Sequence, residues 1–263
     1  GLAFEGGYPA DLKVTTKGLV GGVEGHEIDQ KLRRSLAESC ERMQRDYVDV
    51  YILHGYVIAD GWRECLRPKA LPHIAVEWSN YLNFVIKTFE ALKAEGKIGA
   101  WGITAASTQA TNLQVLETAQ KPDVIQCIAN VLDAPGSMAI CDEIPDPRSV
   151  IQRAQQESVG VMGIRAVAAG SLTDAIDREV KPTSSEALDF EKAEKFRRLA
   201  AETGVSSAFL AHRYALSMLG VDTVVLGVKD RVELNECLEA EAAGSLDQAT
   251  MNKIDLAIST GNL

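Results

Sequence analysis

At 263 residues and 28.4 kDa, with 46% hydrophobic residues, the chain is long enough to bury a large core, and a single domain is the default at this length. Its formal net charge of −10, from 27 Lys and Arg against 37 Asp and Glu, argues against a nucleic-acid or anionic-membrane partner, which requires a basic stripe. No stretch approaches the ~18 apolar residues of a membrane span, the opening Gly1-Leu2-Ala3-Phe4-Glu5 lacks the basic and apolar regions of a secretory signal, and the five cysteines (Cys40, Cys65, Cys127, Cys141, Cys237) form no C-x-x-C pair. The expectation is an acidic cytoplasmic protein with reduced thiols and no metal site.

In chain order, Leu12 to Lys17 is a β-rich run that ends in a lysine and is followed by the loop Gly18-Leu19-Val20-Gly21-Gly22. Between Glu27 and Arg45, Ile28, Leu32, Leu36, Cys40 and Met43 recur at spacings of three and four, one face of an amphipathic helix. Asp49-Val50-Tyr51-Ile52-Leu53 has no polar face and reads as a strand buried on both sides, with His54 directly after it. In a parallel α/β fold chemistry sits at the carboxyl ends of strands, so His54 is either a catalytic residue or a hydrogen-bonded core histidine. Residues 56 to 78 show no sustained period and read as a long loop. Leu82, Val85, Ile86, Phe89 and Leu92 mark a helix that stops at Gly96.

Ile98 to Thr104 is the next strand, and Ser107 is a plausible N-cap for a helix through Leu113 and Leu116. Asp123 to Val131 and Val159 to Val167 read as strands flanking a helix from Arg148 to Glu157, with Pro147 in its first turn. A second excursion, 174 to 190, leads to a helix from Phe190 to Glu202 that Gly204 terminates. Ser206 to Leu219 is helical, Asp222 to Val228 is the last strand, and Val232 to Leu246 and Gln248 to Ile258 are helices. Six apolar strands, each followed by a helical stretch, imply parallel strands with right-handed crossovers. An open doubly wound sheet and an α/β barrel lacking two strands both satisfy that count, but no G-x-G-x-x-G follows the first strand.

The residues resemble the aldo-keto reductase superfamily, in its bacterial, dehydrogenase-like branch. The resemblance rests on KVTTKG at 13–18, DYVDVYILHG at 46–55, LKAEGKIGAWGIT at 92–104, DVIQCIANVLD at 123–133, SVGVMGIRAVAAGSLT at 158–173 and DTVVLGVKDRVELNECLEA at 222–240. These motifs are collinear over nearly the whole chain and specific as a set. The resemblance implies a (β/α)8 TIM barrel, of which six strand-helix units are visible, in one domain spanning 1–263. It also implies a nicotinamide cofactor bound in an extended pose without the glycine fingerprint, NADP(H) or NAD(H), and a small-molecule carbonyl substrate, and it leaves the oligomeric state open.

Carried over residue by residue, Lys17 and His54 match two members of the family's catalytic tetrad. A carbonyl that accepts hydride needs a proton donor at its oxygen, and a neighbouring ammonium draws a donor's pKa toward the working pH. Lys17 fills that role by resemblance, and His54 hydrogen-bonds the carbonyl oxygen. Gln126 matches the glutamine that contacts the nicotinamide amide, and Thr104 stands where the family usually has Ser. Ala169, Gly170, Ser171 and Leu172 match a small-residue loop over the pyrophosphate, where backbone N–H groups approach anionic oxygens. Gly227 and Lys229 match the last-strand loop beside the adenosine ribose, with Lys229 the candidate for a 2′-phosphate. Asn130 lies in the Gln126 strand in a structural or a functional role.

The chain departs from the pattern at three places. The tetrad's Asp and Tyr belong to strands ahead of the lysine, where this chain has sixteen residues; Tyr8 lies too close to Lys17 for a separate barrel strand and takes no catalytic role. The expectation is a barrel that is N-terminally incomplete, with roughly 50 or more further residues ahead of Gly1. Ile164 and Ala166 replace the aromatic residue that stacks on the nicotinamide and the proline that follows. Glu233 sits where relatives place Arg or Gln, and its charge opposes a 2′-phosphate, leaving NADPH only a mild preference over NADH. The function implied is reduction of an aldehyde or ketone, or the reverse; the alternative is a regulatory barrel that binds the cofactor without turnover.

Overall fold

A computed structural model of the chain describes residues 1–5 and 7–259, in two compact units: residues 1–126 with Ile140–Glu143, and Cys127–Ala139 with the residues from Ile144 onward. The alternation of apolar strands and amphipathic helices expected from the sequence is what both units contain.

In the first unit the strands are β1 (Thr15–Gly18), β2 (Val48–Leu53), β3 (Tyr56–Ile58), β4 (Ala75–Glu77), β5 (Ile98–Ala105) and the start of β6 (Val124–Ile128). The main sheet runs β1-β2-β5-β6. β1 pairs with β2 and β2 with β5 in parallel, as the intervening helices Ile28–Met43 and Ile86–Ala94 require. Tyr51, Phe89 and Trp101 are fully buried between sheet and helices. The Phe89 ring stacks on Trp101 with centroids 5.3 Å apart and meets Tyr51 edge-on at 5.3 Å. Trp101 Nε1 donates to Glu90 Oε1 at 2.6 Å and the Tyr51 hydroxyl to the Leu32 carbonyl at 2.9 Å, so both polar atoms of that aromatic layer are satisfied.

The excursion after His54 is more ordered than its irregular sequence implies. β3 and β4 form a separate two-stranded parallel sheet within 56–77, closed over a small core of Tyr56, Ile58, Leu71 and Ile140. Its strands are only three residues long, too short for a period to be read. The next helix begins with a π turn, Tyr81–Val85, ahead of Ile86–Ala94. The N-cap of Gln109–Leu116 is Thr108, whose hydroxyl accepts from the Thr111 amide, rather than Ser107, whose hydroxyl donates to the Val57 carbonyl at 2.5 Å.

In the second unit β7 (Gly160–Ile164) lies next to β8 (Thr223–Val224), paired in parallel. β8 is shorter than the apolar run Asp222–Val228; the Val225 N–H makes its last bond to the sheet, to the Gly163 carbonyl at 2.8 Å. The single helix expected over 190–202 is two, Ser185–Lys192 and Glu194–Thr203, joined at Ala193; Gly204 in the left-handed region (φ 75°) ends the second. Ser206 and Asp230 cap the helices Ser207–Ser217 and Arg231–Ala242 with their side-chain oxygens. Arg148 ties three segments together: Nε donates to Asp133 at 2.7 Å, and Nη2 to the Tyr214 hydroxyl at 2.7 Å and to Asp255 at 3.3 Å. Among the described residues no helix is long and apolar enough to cross a membrane, and all five cysteines are free.

Candidate active site

Four of the residues singled out in the sequence lie on four neighbouring strands of the first unit. Lys17 is in β1, His54 follows β2, Thr104 is in β5 and Gln126 in β6. The register places Lys17 beside Ile52 and Gly102 beside Ile52, so Lys17, His54 and Thr104, each an even number of residues from that row, project to one face. The backbone N–H of His54 donates to the Gly18 carbonyl at 2.8 Å, extending the β1–β2 ladder one step and fixing the histidine beside the lysine.

His54 is exposed, which removes the reading as a core histidine. Partial burial by its neighbours and the Lys17 charge lower its pKa, so at neutral pH the imidazole is uncharged and can donate one N–H. Burial likewise lowers the pKa of Lys17. Thr104 is almost fully buried, and its hydroxyl donates to the Leu53 carbonyl at 3.1 Å, bracing the peptide that carries His54. Gln126 is 1% exposed, and its Oε1 has no hydrogen-bond partner. A buried amide oxygen left unpaired costs about 1–3 kcal/mol, so it marks a place where a ligand donor fits, as the carboxamide of a nicotinamide would.

The phenols nearby are committed elsewhere. Tyr51 donates to the Leu32 carbonyl at 2.9 Å, and burial pushes its pKa up to about 12. Tyr8 donates to the Met43 carbonyl at 2.6 Å and lies under the Arg45 guanidinium, at the far end of the helix that follows β1.

The second unit carries the loop Ala168–Leu172 after β7. Ala168 and Ala169 adopt positive φ (46° and 54°), an unusual conformation for residues with a Cβ, and Gly170 sits at φ 96°. The loop is closed more tightly than the sequence implies. The N–H groups of Gly170 and Leu172 donate to the Val167 carbonyl and that of Ser171 to Ala168, at 2.9, 3.2 and 3.3 Å. The Ser171 hydroxyl donates to Glu186 O, and the Leu172 side chain is fully buried. The N–H groups are therefore turned inward, and the two longer bonds are the ones an anion would exchange most easily. Asn130 is saturated by backbone: its amide donates to the carbonyls of Ala134 and Arg165 and its oxygen accepts from Leu132 and Ala134.

A cavity of about 500 Å³ in the second unit opens onto this loop and is lined by Gly227 and Lys229 as well. Sequence reasoning missed three of its residues. Arg178, in the aperiodic excursion, donates to the Ala169 carbonyl at 2.9 Å; Asp177 pairs with Lys229; and His212 sits on a helix whose pattern marks it only as core. None of these carried a local signal: Asp177 and His212 meet residues 52 and 25 positions away, and Arg178 lies in a stretch without a period.

The model of the Aldo/keto reductase family matches residues 1–259. The chain is 26% identical over 230 residues to L-galactose dehydrogenase of Arabidopsis thaliana, covering 86% of itself but 63% of that enzyme, less than two thirds of its length. Among solved structures it is similar to aldo-keto reductase AKR11C1 from Bacillus halodurans. The apo form matches with a TM-score of 0.66 and the holo form with 0.68, each at 21% identity, covering 99% and 97% of this chain and 74% and 75% of that one. At that identity the likeness concerns the fold, and it agrees with the expected α/β barrel class. With the family model spanning nearly its whole length, the chain belongs to the aldo/keto reductase family.

Proposed function

We propose that the protein is a nicotinamide-dependent oxidoreductase that interconverts a small aldehyde or ketone and the corresponding alcohol. The observation that carries the reading is the unpaired Gln126 Oε1, buried on the strand next to the one that bears Thr104, with Lys17 and His54 on the same sheet. In the first unit Gln126 would meet a nicotinamide carboxamide; within the second unit, the Ala169–Leu172 loop with Gly227 and Lys229 would meet phosphate and ribose groups. When bound, the coenzyme supplies or accepts the hydride.

The chain's own residues act at the carbonyl oxygen. The neutral His54 imidazole donates a hydrogen bond that orients the substrate, and it strengthens as negative charge collects on the oxygen. Lys17 places a positive charge beside that oxygen and raises the acidity of any hydroxyl held next to it. Thr104 keeps the Leu53–His54 peptide in place, so that these groups are oriented before the substrate arrives.

Titration of NADH and of NADPH, followed by tryptophan fluorescence, tests the reading. Saturable binding of at least one is expected, with loss of dihydronicotinamide absorbance when small aldehydes and ketones are added. Absence of binding by both overturns it, and binding without turnover of any carbonyl favours the regulatory alternative.

A further inference from the structure

Lys229 is the cation that a 2′-phosphate would need, and in the folded chain it is already engaged. Its Nζ pairs with Asp177 and, at 3.0 Å, with Glu233, and its backbone N–H donates to Glu233 at 2.7 Å. Asp177 comes from the excursion after β7, 52 positions away in the chain. The other cation of the cavity, Arg178, is held by the Ala169 carbonyl and lies 3.7 Å from Asp177. With Asp174 and Glu236 also on its wall, the cavity presents four carboxylates against two cations. A phosphate here would have to strip Lys229 from two carboxylates and add charge of the same sign as the excess. A hydroxyl would instead donate to a carboxylate already in place.

A second feature of the same cavity points to a ligand. His212 is 6% exposed, its Nε2 lies 3.4 Å from Cys237 Sγ, and its Nδ1 is buried with no hydrogen-bond partner. A neutral ring nitrogen in that state suits the polar edge of a heteroaromatic base. A cavity with an unpaired imidazole nitrogen and a carboxylate-clamped lysine matches a nucleoside with a free 2′-hydroxyl.

We infer that this cavity selects the coenzyme without a 2′-phosphate, and that Asp177 and Glu233 are its specificity-determining residues. The inference rests on the coenzyme reading above and reverses the role that sequence resemblance gives Lys229.

The test is equilibrium titration of NADH and NADPH into the wild-type protein, Asp177→Asn, and the Asp177→Asn/Glu233→Gln double variant, with circular dichroism to establish that each is folded. Both side chains are substantially exposed, and the exchanges conserve size. Wild type is expected to bind NADH at least about tenfold more tightly than NADPH, and the double variant to shift that ratio about tenfold or more toward NADPH, with Asp177→Asn between them. Tighter binding of NADPH by wild type, or an unchanged ratio in the double variant, overturns the inference while leaving the coenzyme reading intact. Failure of wild type to bind either dinucleotide overturns both.

Discussion

His54 and Gly18 are joined by a backbone hydrogen bond of 2.8 Å that continues the β1–β2 ladder past the last residue of β2. The bond ties the position of the histidine to the strand that carries Lys17, and electrostatic coupling between the two side chains follows.

Because the Lys17 charge adds to burial in lowering the His54 pKa, Lys17→Met is expected to raise it. Proton NMR titration of the His54 ring, assigned with His54→Gln, measures this; an unchanged midpoint would show that the two do not interact. The sign for stability follows by linkage. A folded pKa below the ordinary imidazole value means that the unfolded chain binds more protons in the interval between them. The contribution of His54 is therefore complete above the unfolded value of about 6.5 and is lost as pH falls through the folded one. Urea denaturation across that interval should show a smaller decline for His54→Gln than for wild type.

Thr104→Val keeps the shape of a buried side chain but removes the donor to the Leu53 carbonyl. A loss of about 1–2 kcal/mol is expected in urea denaturation, with most of it restored by Thr104→Ser, which retains the hydroxyl. If valine is as stable as threonine, the hydroxyl does not brace the His54 peptide.

Gln126→Leu separates binding from folding. The amide oxygen has no partner, so replacing the side chain with an apolar one of similar volume is expected to leave stability unchanged or raise it, while dinucleotide affinity falls about tenfold or more. Thermal melts and coenzyme titration on the same sample check both. Reduced stability with unchanged affinity would assign Gln126 a purely structural role.

In the second unit, Arg148→Met leaves Asp133 with its Oδ1 already unpaired and its Oδ2 newly so. A destabilisation of about 2–4 kcal/mol is expected, since a partly buried carboxylate loses its counter-ion. Asp133 pKa is already raised by burial, and its return to the ordinary range in the variant would contradict the network.

How much of this was legible beforehand depended on the range of the interaction. Hydrophobic periodicity is local, so the helix Ile28–Met43 and the strands ending near Lys17 and His54 could be read from spacing alone, and with them the placement of both polar side chains at strand ends. The short β3 and β4 could not, because three residues carry no period, and the break at Ala193 escaped because the helical pattern runs through it.

By itself the sequence determined the order of the six strands of the main sheet and the family, since these follow from local burial patterns and collinear motifs. Only the tertiary structure decided that Gln126 is left unpaired, that the Ser171 hydroxyl donates to the Glu186 carbonyl, and that Lys229 is clamped by a carboxylate 52 positions away. The physical reason is that hydrogen-bond satisfaction and charge pairing depend on which remote segments meet, and no local period in the chain encodes that.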